Sequence, residues 1–246
     1  DKTVPTLSSL SLVSNNNPST LANTDDSVTL TVVGSEVLQQ PTVVFSSGGN
    51  VVADSSITYA NPSGNTWTAR YEPESGDTEG NITFSIDFDD LAGNDGVDVT
   101  AVTDGTSVTF DKTAPTLTSV SIASNNSPGP TTHAKVGLDV ILSFTASEVI
   151  KTNPTVVFQS GGAAITNSGA ITYANPSGNN WTAKYTAHTN DTAGAVTYSI
   201  AFSDSAGNAG TAVTSGSGSV TVIHAVSYTH LRAHETSLHL VCRLLL

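Results

Sequence analysis

The sequence repeats itself, and this repeat constrains the fold more than any other feature. The segment DKTVPTL at 1–7 returns as DKTAPTL at 111–117, and the nonapeptide ITYANPSGN occupies both 57–65 and 171–179. The offset between matched segments changes only from 110 to 114 residues, so the insertions between them are short. Because self-similarity at a fixed period indicates a repeated structural unit, the fold must be built twice. We therefore predict two domains, residues 1–110 and 111–224.

Alternating apolar and polar residues predict that each unit is built from β-strands. Ile82, Phe84, Ile86 and Phe88 alternate with polar residues, and the second unit keeps the pattern over 196–202. This period of two buries one face of a strand and leaves the other in water. Asn-Pro-Ser-Gly, Ser-Gly-Gly and Ala-Gly-Asn clusters, which are typical of turns, lie between the apolar runs. About seven short strands in about 110 residues predict an all-β fold, with each unit an immunoglobulin-like β-sandwich.

The last segment, residues 225–246, differs in composition from the rest. Two runs, 226–236 and 239–246, match in one reading frame the translated constant parts of an adapter used in transposon-based sequencing libraries. We interpret this tail as adapter-derived, exclude it from the fold, and expect the remainder to be a fragment of a longer reading frame. The alternative is a metal-binding tail, whose histidines lack the spacing of a zinc-binding helix. Those histidines are His230, His234 and His239.

Charge and cysteine content exclude several classes of protein. Removing the tail takes away the only cysteine, Cys242, and changes the net charge from −13 to −14, with six basic and twenty acidic residues left. So few basic residues offer no surface for a phosphate backbone, and we expect no nucleic-acid partner. No apolar run reaches about 18 residues, so we expect no membrane span.

Catalytic patterns are weak, and we predict that the protein is not an enzyme. A Gly-x-Ser-x-Gly nucleophile motif is absent from the sequence. His133 and His188 are not repeated between the units. Asp89 and Asp90 could imitate a glycosidase pair, but adjacent residues at a strand end point apart.

The tryptophans have two interpretations. Trp67, Ala69 and Tyr71 share one face of a predicted strand, and Trp181 stands at the equivalent place in the second unit. The aromatic rings could stack on sugars, which would make the chain a carbohydrate-binding accessory module of a secreted hydrolase. We favour a core role, because these rings are in register with core residues and a buried tryptophan is ordinary in a sandwich.

Three motifs carry a resemblance to a known family. They are the DKTxPT opening of each unit, the Ser-Glu pairs at 35–36 and 147–148, and the FSDSAGN turn at 202–208. Residues 1–224 resemble the tandem bacterial immunoglobulin-like (Big-type) repeats of large secreted or surface adhesins. The resemblance implies a stalk or adhesin array, an extracellular or cell-surface location, and neighbouring repeats as partners. It also implies surface glycans or proteins as ligands, and stiffening by calcium.

A repeated set of oxygen donors is the candidate calcium site. In an immunoglobulin-like sandwich the N-terminus and several loops share one pole, and carboxylate and amide oxygens are ligands that calcium prefers. The alternative is that the aspartates accept backbone N–H bonds in turns, Asn208 adopts a left-handed turn conformation and Glu148 is solvated. The candidate ligands are Asp1, Glu36, Asp90 and Asn94 in the first unit, and Asp111, Glu148, Asp204 and Asn208 in the second.

The opposite pole of the first unit is also acidic, and we expect it to approach the second set of ligands at the junction. A cation there would lower the repulsion between like charges and fix the angle between the domains. The acidic residues of those loops are Asp25, Asp26, Glu72, Glu74, Asp77 and Glu79.

Overall fold

The computed structural model describes residues 2–52, 57–166 and 170–224. These residues form eighteen β-strands and no α-helix. The first nine strands are β1 (Leu7–Ser14), β2 (Leu21–Ala22), β3 (Val28–Gly34), β4 (Thr42–Ser47), β5 (Asn50–Val51), β6 (Thr58–Ser63), β7 (Thr66–Tyr71), β8 (Gly80–Asp87) and β9 (Val108–Phe110). The other nine are β10 (Leu117–Ser124), β11 (His133–Lys135), β12 (Asp139–Ala146), β13 (Thr155–Ser160), β14 (Ala163–Ala164), β15 (Thr172–Ser177), β16 (Asn180–Thr186), β17 (Gly194–Ala201) and β18 (Thr221–Ile223).

Four sheets form two sandwiches of the same topology. In the first sandwich one sheet has the order β1-β3-β7-β6 and the other β2-β9-β8-β4-β5. The second sandwich repeats this with β10-β12-β16-β15 and β11-β18-β17-β13-β14. This is the ABED and GFC arrangement of the immunoglobulin fold, extended by short edge strands, of which β2 and β11 pair in parallel with β9 and β18. The predicted fold class, two tandem immunoglobulin-like β-sandwiches, is confirmed.

The cores follow the alternation seen in the sequence. Along β3 buried and half-buried residues alternate from Val28 to Gly34, as they do along β12. One cluster of buried residues draws on Leu10 to Phe110 and the other on Ile122 to Val222. Each core is centred on a fully buried tyrosine of the E strand (β7 or β16) packed against a phenylalanine of the C strand (β4 or β13).

The tryptophans pack as core residues rather than as an exposed platform. Trp181 is 7% exposed and belongs to the second core. Trp67 is half-buried and packs against the first core, where its indole N–H donates to the Leu38 carbonyl at 3.4 Å. The core interpretation is therefore confirmed for Trp181 and, in part, for Trp67.

A close contact between two glycines fixes the end of the loop between β7 and β8. A Cβ on Gly80 (φ +134°) would lie 2.9 Å from the Gly48 Cα, so the two backbones meet directly. The second sandwich repeats this contact between Gly194 and Gly161, at 2.7 Å. Glycine supplies both the positive φ and the missing side chain that this approach requires. The contact places Glu79, the residue before Gly80, at the pole that faces the second sandwich.

The adapter interpretation concerns residues 225–246, which lie outside the described residues, as does Asp1. Among the described residues no helix is long and apolar enough to cross a membrane.

Candidate metal site at the junction of the two sandwiches

The loop after β17 is organised around one buried carboxylate. Asp204 is 1% exposed, and its Oδ1 accepts the N–H groups of Gly207 (2.7 Å) and Asn208 (2.9 Å). Its Oδ2 accepts the Asn208 side-chain amide at 2.9 Å. A buried carboxylate requires such donors, because an unpaired buried charge is costly. The loop therefore holds Asp204 in one fixed position at the pole.

Three carboxylates converge at this pole. Asp111, Glu148 and Asp204 each offer an oxygen, and these oxygens all lie within 4.8 Å of one another. Two oxygens on opposite sides of a calcium ion are up to ~4.8 Å apart, since each Ca–O bond is about 2.4 Å. The spacing of the three carboxylates therefore fits this cation.

The electrostatics of the cluster agree with this fit. Burial, together with the charges of Asp204 and Glu79, raises the pKa of Asp111 even though its carboxylate accepts the Thr113 N–H. Burial raises the pKa of Glu148 too, and the charges of Asp204, Asp111 and Glu79 add to the effect. Both shifts mean that the ionised cluster is penalised, and a bound cation would remove that penalty.

Asn208 has a different place from the one predicted. Its amide nitrogen donates to the Asp111 carbonyl at 3.0 Å and to Asp204, so it presents a donor rather than an oxygen to the cluster. The alternative prediction of a left-handed Asn208 is also wrong, because only glycines among the described residues have positive φ, and Gly207 (φ 102°) takes that role. The predicted backbone N–H bonds to Asp111 and Asp204 are confirmed.

The equivalent set in the first sandwich is assembled in the same way. Asp90 accepts the N–H groups of Ala92 and Asn94, each at 2.8 Å, and the Asn94 side chain at 2.6 Å. The hydrogen bond from the Asn94 side chain is the main cause of a lowered pKa of Asp90. Glu36 and Asp90 line one open cavity of about 330 Å³. Asp1 lies outside the described residues.

The linker between the sandwiches is clamped by the first one. The Lys112 N–H and the Thr113 hydroxyl both donate to Glu79 Oε1, each at 2.7 Å. The Lys112 ammonium donates to the carbonyls of Ser75 and Asp77, also at 2.7 Å. These donors lower the pKa of Glu79, the Thr113 hydroxyl most of all. We call Glu79, Lys112 and Thr113 the linker clamp.

A second contact joins the sandwiches away from the linker. The Asn16 amide nitrogen donates to the Ser205 carbonyl at 3.2 Å, and the Lys151 ammonium donates to Asn16 Oδ1 at 3.1 Å. Sequence reasoning missed both residues, since no local pattern relates positions 135 residues apart. The sequence feature that could have drawn attention to Asn16 is its repetition as Asn126 in the second unit.

Other predicted acidic residues of the first pole serve their own turns. Asp26 Oδ2 accepts the Asn23 N–H at 2.9 Å. Asp77 Oδ2 accepts the Glu74 N–H at 2.8 Å and the Tyr71 hydroxyl. These carboxylates shape the loops around the clamp.

The histidines considered for catalysis are likewise engaged locally. His133 Nδ1 lies 3.0 Å from the Thr132 hydroxyl, and His188 Nδ1 faces the Asn190 N–H at 3.2 Å. The His188 N–H donates to Asp191, which shapes the same turn.

No protein-family model matches the chain, and no curated protein matches it. Solved structures of tandem immunoglobulin domains do. An I-band fragment of titin is 12% identical, with 91% of this chain and 66% of that chain covered and a TM-score of 0.45. An E-to-A variant of a three-domain titin segment is 13% identical, with coverages of 90% and 65% and a TM-score of 0.44.

The N-terminal Ig1-2 module of the Drosophila receptor protein tyrosine phosphatase DLAR is 14% identical, with 90% and 99% covered and a TM-score of 0.28. The chain thus spans about two thirds of the length of the two titin fragments. These likenesses concern the fold alone, and the assignment of the fold rests on the strand order described above.

Proposed function

We propose that the chain is a non-catalytic, two-domain segment of an exported bacterial surface protein, where it serves as part of a stalk or adhesin array. The observation that carries the proposal is the hydrogen-bonded linker. The Asp111 N–H donates to the Ala22 carbonyl at 2.9 Å, and its own carbonyl accepts the Asn208 side chain. One linker residue therefore bonds to both sandwiches.

Such a joint suits a load-bearing or spacing role. A linker with free backbone groups lets domains reorient, whereas bonds from the linker to both partners restrict the hinge. Pro115 is buried and fixes φ where the chain enters the second sandwich. The acidic excess keeps a repetitive surface soluble and self-repelling.

The joint can be tested by pulsed electron paramagnetic resonance. Spin labels at Thr83→Cys and Thr197→Cys, both exposed, report the distance between the sandwiches once Cys242 is replaced by Ser. We expect a narrow distance distribution that broadens in Glu79→Ala. Glu72→Ala is the matched control, because it removes the same charge from an exposed residue that forms an ion pair with Arg70 at 2.9 Å, away from the linker. A broad distribution in the parent chain would contradict the proposal.

Calcium binding by Asp111, Glu148 and Asp204 is part of the proposal. Convergence of the three carboxylates and the raised pKa values of Asp111 and Glu148 support it. A ligand that binds only the folded state raises the melting temperature with its concentration. We therefore expect millimolar calcium to raise the melting temperature at pH 7 relative to chelator. Glu148→Gln removes the effect and Glu72→Gln keeps it, whereas equal melting temperatures with calcium and chelator would refute calcium binding.

The pH dependence of stability follows from the direction in which folding shifts the pKa values of Asp111 and Glu148. A carboxyl whose pKa is raised on folding costs stability when ionised, and this cost disappears as the pH falls through the raised value. Without calcium, the cost from Asp111 and Glu148 therefore declines on acidification from pH 7. The gain from calcium shrinks over the same range, which melting curves at several pH values would show.

A further inference from the structure

The loop after β17 in the second sandwich is covered by the first sandwich. Ala206 is 1% exposed, and the Ser205 carbonyl accepts the Asn16 amide. A Cβ on Gly207 would lie 3.1 Å from the Asn23 side chain. This loop is therefore a docked surface.

The equivalent loop of the first sandwich is also organised around a buried aspartate, but no other domain covers it among the described residues. Asp90 and Asp204, the organising carboxylates, are each 1% exposed. Ala92, the counterpart of buried Ala206, is exposed, and Leu91 is 70% exposed. The difference in exposure arises from the neighbouring domain, because the loop geometry is shared.

One apolar side chain next to this loop is Val37, which is 45% exposed. Its counterpart Val149 is 63% exposed at the occupied joint, so a docked domain would contact Leu91 and Ala92 rather than Val37. With Glu36 and Leu91, Val37 lines the open cavity of about 330 Å³ at this pole. Exposed apolar side chains clustered at a polar rim are typical of a protein–protein contact.

We infer that this pole of the first sandwich is a docking surface for another immunoglobulin-like domain, one whose loop before the F strand (the equivalent of β8) carries glutamate at the position of Glu79. The inference rests on the proposed role of the chain as one segment of an array, and it specifies the kind of neighbour. The docking surface consists of Glu36 and of Leu91 and Ala92 in the loop that Asp90 organises.

The linker residues support the docking of such a domain. Lys2 and Thr3 repeat Lys112 and Thr113, which bond to Glu79 in the existing joint. Lys2 is exposed. A preceding domain with the sequence Asp-Thr-Glu-Gly at the end of this loop would offer Lys2 and Thr3 the same acceptor.

The second sandwich is the wrong kind of neighbour. Ala193 stands at the position of Glu79, so its loop has no carboxylate to hold the linker. Exposed Lys135 replaces Asn23, which is 7% exposed at the joint. The two carboxyl-terminal poles therefore differ in what they can receive, and the required neighbour resembles the first sandwich.

The experiment extends the full chain at its N-terminus by a copy of residues 1–110, with Cys242 replaced by Ser. Spin labels at the position of Thr83 in the added copy and in the first sandwich report the new joint, and labels at Thr83 and Thr197 report the existing one. We expect the two joints to give distance distributions of similar width. Glu79→Ala in the added copy should widen the new distribution at least twofold, while Glu72→Ala should leave it unchanged.

A broad distance distribution at the new joint, together with a narrow one at the existing joint, would overturn the inference. The proposed function would then still stand. Equal widths for the parent and Glu79→Ala copies would also overturn it. Broad distributions at both joints would instead refute the proposed function. An added copy made of residues 111–222, which carries Ala193, should behave as the Glu79→Ala copy does. Thermal unfolding of each extended chain checks that the added domain is folded.

Discussion

The two sandwiches have equivalent cores, but the hydrogen bonds of the core tyrosine differ between them. In the first, the Tyr71 hydroxyl donates to Asp77. In the second, the Tyr185 hydroxyl is buried and has no hydrogen-bond partner among the described residues. Asp191 occupies the place of Asp77, but its oxygens accept the N–H groups of Thr166 and His188, each at 2.8 Å. Residue identity was duplicated, whereas the hydrogen bonding was set by the surrounding loops.

The poles at the loop before the F strand likewise combine a repeated backbone contact with a side chain that differs between the two sandwiches. Both sandwiches keep the glycine contact that ends the loop before the F strand, yet Glu79 in one corresponds to Ala193 in the other. Among the described residues, the carboxylate that holds a linker belongs to the first sandwich.

The largest expected effect tests whether the cores are equivalent. Phe45→Ala and Phe158→Ala each remove a fully buried ring that packs on a core tyrosine, so each should cost its own sandwich about 3–5 kcal/mol. Denaturant unfolding followed by resolved amide signals of each sandwich measures the two losses separately. A difference between the two losses above ~2 kcal/mol would break the equivalence, because the same substitution at different buried sites varies by about that much.

Substituting the core tyrosines should change the stability of the two sandwiches by different amounts, although substituting the phenylalanines should change it by similar amounts. Tyr71→Phe removes a hydrogen bond to a carboxylate and should cost the first sandwich ~1.5–3 kcal/mol. Tyr185→Phe removes a buried hydroxyl without a described partner, so the second sandwich should lose nothing or gain up to ~1 kcal/mol. The same unfolding experiment reads out both variants, and equal losses would show that Tyr185 is paired in solution.

The smallest effect concerns the contact away from the linker. Lys151→Ala removes one exposed hydrogen bond to Asn16, and exposed pairs contribute only ~0.2–1 kcal/mol. We expect a slight broadening of the Thr83–Thr197 distance distribution, smaller than that of Glu79→Ala. Lys135→Ala, an exposed residue at the far pole, is the matched control. A broadening as large as that of Glu79→Ala would move the main restraint from the linker clamp to Asn16.

The fold could be predicted because its determinants are local. The alternation through Ile82, Phe84 and Ile86 specifies a strand with one buried face, and the structure confirms it in β8. Asp204 could be predicted at a pole because its turn is repeated as the turn of Asp90.

The joint could be predicted only in outline, because it depends on distant residues. The repeat length indicates two domains and a short linker, but nothing near Lys112 reveals that Ser75 and Asp77 would accept its ammonium. Glu79 was one of six acidic loop residues, and what distinguishes it is its hydrogen bonds to Lys112 and Thr113, which no local pattern reveals. Amide orientation is equally invisible in sequence, which is why Asn208 was predicted as an oxygen donor.

The central claim is that the linker clamp fixes the two sandwiches relative to each other. Residual dipolar couplings measured on the full chain give an alignment tensor for each sandwich, with the strands of that sandwich as the structural frame. A fixed joint predicts the same tensor magnitude for both sandwiches, with separate magnitudes in Glu79→Ala and a shared one in Glu72→Ala. Clearly different tensor magnitudes in the parent chain would contradict the claim, because they would mean that the sandwiches reorient independently.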